Sequence, residues 1–478
     1  MSTHPSVENL IFSQFGHDPT DGQREACSRL VDFLFESDSH VAFILRGYAG
    51  TGKTSLVSAL IRTAPRLHIN TRLLAPTGRA AKVLANYSGR PAYTIHKSIY
   101  ITGTDATGRL RTVRAPNKYR YTLFIVDEAS MIGLDPVDGQ APSRSLLEDL
   151  IDYVADGHHC RLLLMGDVAQ LPPVGSPESP ALDAEYVGAL SGFTIFDYEL
   201  REVVRQRDAS GILLNATMLR ERIAEAVSGS MVTLPLLRTD ATLPDVIRLA
   251  GGELEETLQR EYSEVGVENV VMITRSNKRA NLYNQAIRNR VLFREEEVNA
   301  GDYLMVVRNN YHWTGPDSAM GFLANGDIAE VMSARNFREL YGFHFADATL
   351  RFFDYGDDVT CDCKVLLETL HCDAASLPGD DVRRLFDAVS EDYQHLTHKA
   401  DRMKAVKSDP YYNALQVKFA YSLTCHKTQG GQWPVVFLDL GYVTDEMMDR
   451  EFLRWLYTAF TRATQRIYLI NFEERLFI

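Results

Sequence analysis

The fold turns on one stretch, Val41-Ala-Phe-Ile-Leu45-Arg-Gly47-Tyr-Ala-Gly-Thr-Gly52-Lys53-Thr54-Ser-Leu-Val-Ser-Ala-Leu-Ile61. Val41–Leu45 is a short, continuous apolar run, a glycine-rich turn follows, and Thr54–Ile61 reads as a helix. The turn fits G-x-x-x-x-G-K-S/T in the context that pattern requires, a strand entering and a helix leaving. Its glycines let the backbone curl, so that N–H groups from Gly47, Ala49, Gly50, Thr51, Gly52, Lys53, Thr54 and Ser55 converge on an anion at a helix N-terminus. Lys53 is placed to pair with the β- and γ-phosphates of ATP, and the Thr54 hydroxyl to ligate Mg²⁺.

Outward from this turn the pattern repeats. Arg72–Ala75, Leu123–Val126 and Arg161–Met165 are further apolar strands, with helical patterns between them. Strands without polar alternation, separated by helices, indicate a parallel sheet covered on both faces, an α/β architecture. The second strand supplies what a phosphate loop needs next. Leu123-Phe-Ile-Val-Asp127-Glu128 puts Asp127 at a strand's C-terminal end, where α/β ligands bind, to hold Mg²⁺ through water. Glu128 is placed to orient and deprotonate the attacking water. A third strand ends in Gly166-Asp-Val-Ala-Gln170, where Gln170 either senses the γ-phosphate or is a plain surface-loop residue.

The chain has 478 residues, and at roughly 150 residues per domain about three domains are expected. With 45% hydrophobic and 24% charged residues, a mainly disordered, collagenous or coiled-coil chain is excluded. The net charge of −13, from 63 acidic and 50 basic residues, argues against a histone-like binder but leaves room for a local basic groove. Six cysteines in so long a chain are not a disulfide framework and point to a reducing, cytoplasmic setting. Met1–Leu10 has no apolar core, so no signal peptide is expected, and no apolar run is long enough for a membrane span.

A first α/β domain over 1–190 is expected, then a second over 191–300 and 413–478 with strands at Val270–Ile273, Val435–Leu440 and Arg466–Ile470. Between its halves, 301–412 has short β-like pieces (Tyr303–Val307, Ile328–Val331, Ala348–Phe353) and a charged helical stretch, Asp380–Val406, and reads as an inserted β-domain. A smaller insertion at about 100–120 pairs two short strands across Asp105–Gly108 and carries Arg109, Arg111, Arg114, Lys118 and Arg120 with no acidic residue from Arg109 on. It is either a solvated hairpin or a basic hairpin facing nucleic acid. Cys361-x-Cys363 with His371-Cys372 does not match a zinc spacing, and alternating cysteines in a strand are the simpler reading.

Taken in order, Ala75-Pro-Thr-Gly-Arg-Ala-Ala-Lys82, Thr94-Ile-His96-Lys97, Gly166-Asp-x-x-Gln-Leu-Pro-Pro-Val174, Tyr421-Ser-Leu-Thr-Cys-His426-Lys-Thr-Gln429-Gly430 and Tyr457-Thr-Ala-Phe-Thr-Arg462-Ala463 resemble superfamily 1 helicases, most closely the 5′→3′ branch of RecD-like and phage Dda-like enzymes. The resemblance runs from Gln23 to the C-terminus. It implies two RecA-like domains with ATP between them, the hairpin in the first as a strand-separating pin, and the second insertion as an SH3-like β-domain in which Ala324-Asn-Gly-Asp-Ile328 is a characteristic turn. It implies that Gln23 reads adenine, and that Arg205 and Arg462 reach the γ-phosphate from the second domain. Pro76, Thr77, His96, Thr424, His426 and Lys427 are implied to line a single-strand channel. Thr464 stands where relatives often carry a basic residue, and no long domain precedes the core, so the compact Dda-like organisation matches best.

The implied function is an ATP- and Mg²⁺-dependent DNA helicase, a monomer acting on single-stranded and forked or tailed duplex DNA. Single-strand-binding or replication and repair proteins stand as open partners, and no membrane is involved. Two alternatives stay open: a superfamily 1 RNA helicase, and an ATP-switched clamp or translocase that does not unwind.

Overall fold

The computed structural model describes residues 4–38, 40–104, 110–135, 144–202, 210–226, 232–314, 320, 322–355 and 359–478. The first part of the chain carries β1 (Val41–Gly47), β2 (Asn70–Ala75), β3 (Ala92–Thr94), β4 (Tyr100–Thr104), β5 (Leu110–Arg114), β6 (Thr122–Val126), β7 (Arg161–Gly166) and β8 (Thr194–Leu200). Six of them form one parallel sheet in the order β3-β2-β6-β7-β1-β8. β1 explains its own apolar run. Val41, Phe43 and Leu45 pack on one face against helices Asp21–Phe35 and Lys53–Thr63, while Ala42 and Ile44 pack on the other with Leu147, Leu150 and Val187. Each such fully buried Phe or Leu contributes about 1.5–3 kcal/mol.

The second part carries β9 (Val246–Leu249), β10 (Val270–Thr274), β11 (Tyr303–Val306), β12 (Ile328–Leu340), β13 (Phe343–Phe352), β14 (Thr360–Leu366), β15 (Leu415–Phe419), β16 (Ser422–Thr424), β17 (Trp433–Asp439) and β18 (Ala463–Ile470). A second parallel sheet runs β16-β10-β17-β18-β9. Each parallel sheet, with the helices on its faces, is an α/β layer structure of the kind the alternating strands and helices predict. β11 to β15 close into a five-stranded barrel, whose core is continuous with one face of the second sheet through Val417, Phe419, Tyr421 and Phe437. β4 and β5 pair as an antiparallel hairpin, Tyr100 opposite Arg114.

Two expected boundaries are corrected. β8 was assigned to the second domain by the boundary at 190, but it pairs with β1 along its whole length, Thr194 beside Val41 to Leu200 beside Gly47. The cause is Phe196, which packs on Phe33, and Tyr198, which lies under Arg29, both partners being on the helix Asp21–Phe35. The barrel does not end at 412, because β15 is the strand that closes it, antiparallel to β11 and parallel to β14. Cys361 and Cys363 are alternate, buried residues of β14, and among the described residues no group of three metal-ligating side chains gathers. Nor is any described helix long and apolar enough to cross a membrane.

Candidate nucleotide cleft and nucleic-acid interface

β1 hands the chain directly to the phosphate loop. Gly52, at φ +83°, caps the helix Lys53–Thr63 in the left-handed conformation that favours glycine. A Cβ on Gly47 would lie 2.9 Å from Thr51 Oγ1 and 3.1 Å from Leu200 Cβ, so the loop closes only around glycine there. The Lys53 ammonium folds over the loop and donates to the carbonyls of Gly47 (2.5 Å) and Tyr48 (3.0 Å). The first helical turn carries Thr54, exposed, and Ser55, half-buried. Gln23 is fully buried in a capping box with Thr20, and its Nε2 donates to the Thr51 carbonyl (3.2 Å). It is a helix-start residue and a support under the phosphate loop at once.

The carboxylates follow at the end of β6. Asp127 Oδ1 accepts the Glu128 N–H (2.8 Å), and Oδ2 accepts the Tyr87 hydroxyl (2.5 Å). Burial pushes the Asp127 carboxyl above its usual range, against the pull of Lys53. Burial and then the Asp127 charge push Glu128 up to about 7, while Arg462 and Lys53 oppose the rise. Glu128 also sits at φ +52°, a left-handed conformation that costs a residue with a Cβ about 1 kcal/mol or more and marks functional turns. Two crowded, desolvated carboxylates within reach of the Lys53 charge are hard-oxygen donors of the kind a divalent cation such as Mg²⁺ would suit.

The second domain forms the opposite wall. Tyr457, on helix Arg450–Phe460, accepts the Ala49 N–H (2.9 Å) and donates to Asp167 Oδ2 (2.6 Å). Thr458 Oγ1 accepts the Leu171 N–H (2.8 Å), and Gln429 Nε2 donates to the Leu171 carbonyl (2.6 Å). Arg454 pairs with Glu178. Gln170 is buried in the turn so held, which decides against a plain surface loop. Arg462 is buried too, donating to the carbonyls of Thr458 (3.1 Å) and Gly431 (3.0 Å), and its charge reaches Glu128. Arg205 lies outside the described residues. Arg220, not anticipated, stacks its guanidinium 4.7 Å from the Tyr48 ring, and the Tyr48 hydroxyl donates to Glu199 (2.8 Å). Tyr87, Asp167 and Tyr457 were missed as well. Asp167 and Tyr457 had a signal, their places in the Gly166–Val174 and Tyr457–Ala463 motifs, and Tyr87 had none.

The residues expected to line a single-strand channel come from both parallel sheets, and two of them, His96 and Lys427, approach the barrel segment 322–325. Pro76 and Thr77 follow β2, and Thr77 caps the helix Gly78–Ser88. From the second domain, Thr424 ends β16, His426 and Lys427 follow it, and Lys427 donates to Asn325 of the barrel turn (2.6 Å). His96 lies within reach of Phe322, ring to ring 6.3 Å, and burial lowers its pKa to about 4. Burial lowers His426 also, and lowers Lys427 to about 8. Arg109 and the Arg111 side chain lie outside the described residues.

Residues 19–230 match the family described as "AAA domain", and residues 419–470 match "UvrD-like helicase C-terminal domain". The chain is 21% identical to uncharacterized protein R530 of Acanthamoeba polyphaga mimivirus, over 93% of this chain and 98% of that protein. It is 33% identical to the ATP-dependent RecD2 DNA helicase of Deinococcus radiodurans over 33% of this chain and 19% of that enzyme. It is 30% identical to the ATP-dependent DNA helicase dda of Enterobacteria phage T4 over 39% of this chain and 40% of that one. The chain thus matches less than half the length of either named helicase. The two family matches thus fall on the two sides of the cleft, so the chain is similar to an AAA domain on one side and to a UvrD-like helicase C-terminal domain on the other, which agrees with the superfamily 1 resemblance read from its motifs.

Proposed function

We propose that this protein is an ATP-dependent DNA helicase that translocates 5′→3′ along single-stranded DNA and unwinds forked or tailed duplexes. The observation that carries the reading is the cleft. Phosphate loop, Asp127 and Glu128 on one RecA-like domain face Tyr457 and Arg462 on the other, so a bound nucleotide would report the separation of the two. The domain reading becomes a first domain to about residue 200, a second interrupted by an SH3-like barrel over about 301–419, and a hairpin at 100–120 acting as the strand-separating pin.

Lys53 and the loop N–H groups bind the triphosphate, with Gln23 near the base. Thr54 and Asp127 would hold Mg²⁺, which neutralises charge on the β- and γ-phosphates. Glu128 takes the proton of the attacking water. Arg462, and Arg205 by its place in the motif, stabilise charge on the transferring phosphoryl, and Gln170 senses whether it is present. Pro76, Thr77 and His96 on one side and Thr424, His426 and Lys427 on the other hold successive stretches of backbone, so opening and closing of the cleft moves the strand. Phosphate contacts carry no sequence information, and DNA is preferred to RNA on the strength of the relatives' described activity. The test is unwinding of matched forks with 5′ or 3′ tails, in DNA and RNA. Loss of unwinding on the 5′-tailed DNA fork, or strong preference for RNA, refutes the reading.

A further inference from the structure

We propose that Tyr457 is a positioning residue of the ATP step, one hydroxyl that ties the phosphate loop and the Gln170 turn to the second domain; the proposal rests on the ATP-hydrolysis reading above. Tyr457 belongs to the second domain, yet both hydrogen bonds of its hydroxyl go to the first. It accepts the Ala49 N–H at 2.9 Å and donates to Asp167 Oδ2 at 2.6 Å. The side chain is 1% exposed and its ring is packed in the core of the second domain with Phe460 and Leu456. A ring so held moves with its own domain. If the cleft opens, both bonds break together, leaving a buried carboxylate and a loop N–H to be solvated instead.

The partners make this more than an interface contact. Ala49 is part of the loop that carries Lys53. Asp167 uses its other oxygen, Oδ1, to accept the Ala169 N–H at 2.9 Å, which fixes the turn bearing Gln170. On the second-domain side, the next residue, Thr458, accepts from Leu171 in that same turn, and its carbonyl accepts from Arg462. One helix therefore registers the loop, the Gln170 turn and the Arg462 guanidinium against each other. Without the Tyr457 hydroxyl the cleft can still bind nucleotide through Lys53 and the loop, but its two walls lose their common register in the transition state.

The test compares wild type with Tyr457→Phe, which keeps the buried ring, in single-strand-stimulated ATP hydrolysis. The expected result is a fall in kcat of about tenfold, within the range for losing the two hydrogen bonds of this hydroxyl, with KM for ATP changed less than about twofold. Asp167→Ala should give a similar kcat loss, and the double variant should lose clearly less than the product of the two single losses, because the Tyr457–Asp167 bond is removed in both. A wild-type kcat in Tyr457→Phe, a change confined to KM, or losses that multiply in the double variant each overturn the proposal. Should Tyr457→Phe fail to fold, the kcat-against-KM split in Asp167→Ala decides in its place. A wild-type protein without single-strand-stimulated hydrolysis overturns the ATPase reading itself, and is distinguished because it is seen before any variant is compared.

Discussion

Replacing Glu128 by glutamine should destroy hydrolysis and stabilise the fold, and the second effect should depend on pH in a definite way. Burial and the neighbouring Asp127 raise the Glu128 pKa from 4.5 to about 7. At 1.36 kcal/mol per pH unit that is about 3 kcal/mol, and about 2 kcal/mol for a group that keeps partial contact with solvent. The sign follows from proton counting. The folded protein holds this proton to higher pH than the unfolded chain, so wild-type stability falls as pH rises from 4.5 through about 7. Glutamine carries no such charge. Its advantage is therefore small at about pH 5 and full above about pH 8. Thermal unfolding in a chelating buffer reads it, and for a unit of about 200 residues the variant should melt roughly 4–8 °C higher at about pH 8, with only about a quarter of that difference left at about pH 5. Hydrolysis should fall by about 10²–10⁴-fold. Equal melting at both pH values, or a more stable wild type at the higher one, would refute the claim that Glu128 is crowded and desolvated in the folded protein.

Three further outcomes are expected. Asp302 is wholly buried under the barrel and accepts from Arg288 (3.0 Å), the Tyr421 hydroxyl (2.7 Å) and the Asn299 N–H (2.8 Å); Asp302→Ala strands the Arg288 charge and should cost about 3–5 kcal/mol by denaturant titration. Lys427→Ala should weaken single-strand binding uniformly across sequences and reduce the slope of log affinity against log salt by about 0.7; an unchanged slope removes Lys427 from the channel. Deleting residues 103–118 should abolish fork unwinding while single-strand-stimulated ATPase survives, and equal loss of both would refute the pin.

What the sequence discloses is what local chemistry dictates. Val41–Leu45 and Leu123–Val126 are legible because strands buried on both faces need no polar alternation. β8 is not, because it is an edge strand whose Asp197 and Glu199 alternate with the apolar Phe196 and Tyr198. β15 is not, because its role is set by closure onto β11, more than a hundred positions earlier in the register Leu304 to Phe419. The site divides the same way. Lys53, Thr54, Asp127 and Glu128 are fixed by loop and strand-end spacing. Tyr457 meets Ala49 across a separation of 408 residues, and no spacing rule reaches that far. Tyr87 meets Asp127 from a helix whose sequence has no motif at that position.

The net charge of −13 looks wrong for a protein that grips DNA until the channel's own groups are considered. Burial lowers His96 to about 4 and lowers His426 also, so near pH 7 the first of these rings is neutral. Burial lowers Lys427 to about 8, so its charge is carried at a desolvation cost, with the Asn325 amide oxygen its partner at 2.6 Å among the described residues. On the proposed reading, a phosphate entering beside Lys427 would supply a counter-charge and take the amide's place, so the interaction would be strongest where a strand lies and weak elsewhere on the acidic body. A permanently basic stripe would hold every strand at every stage. A cation that is fully favourable only with a phosphate beside it can be engaged and surrendered as the walls carrying Thr77 and Lys427 move, which is the property stepping along a strand requires.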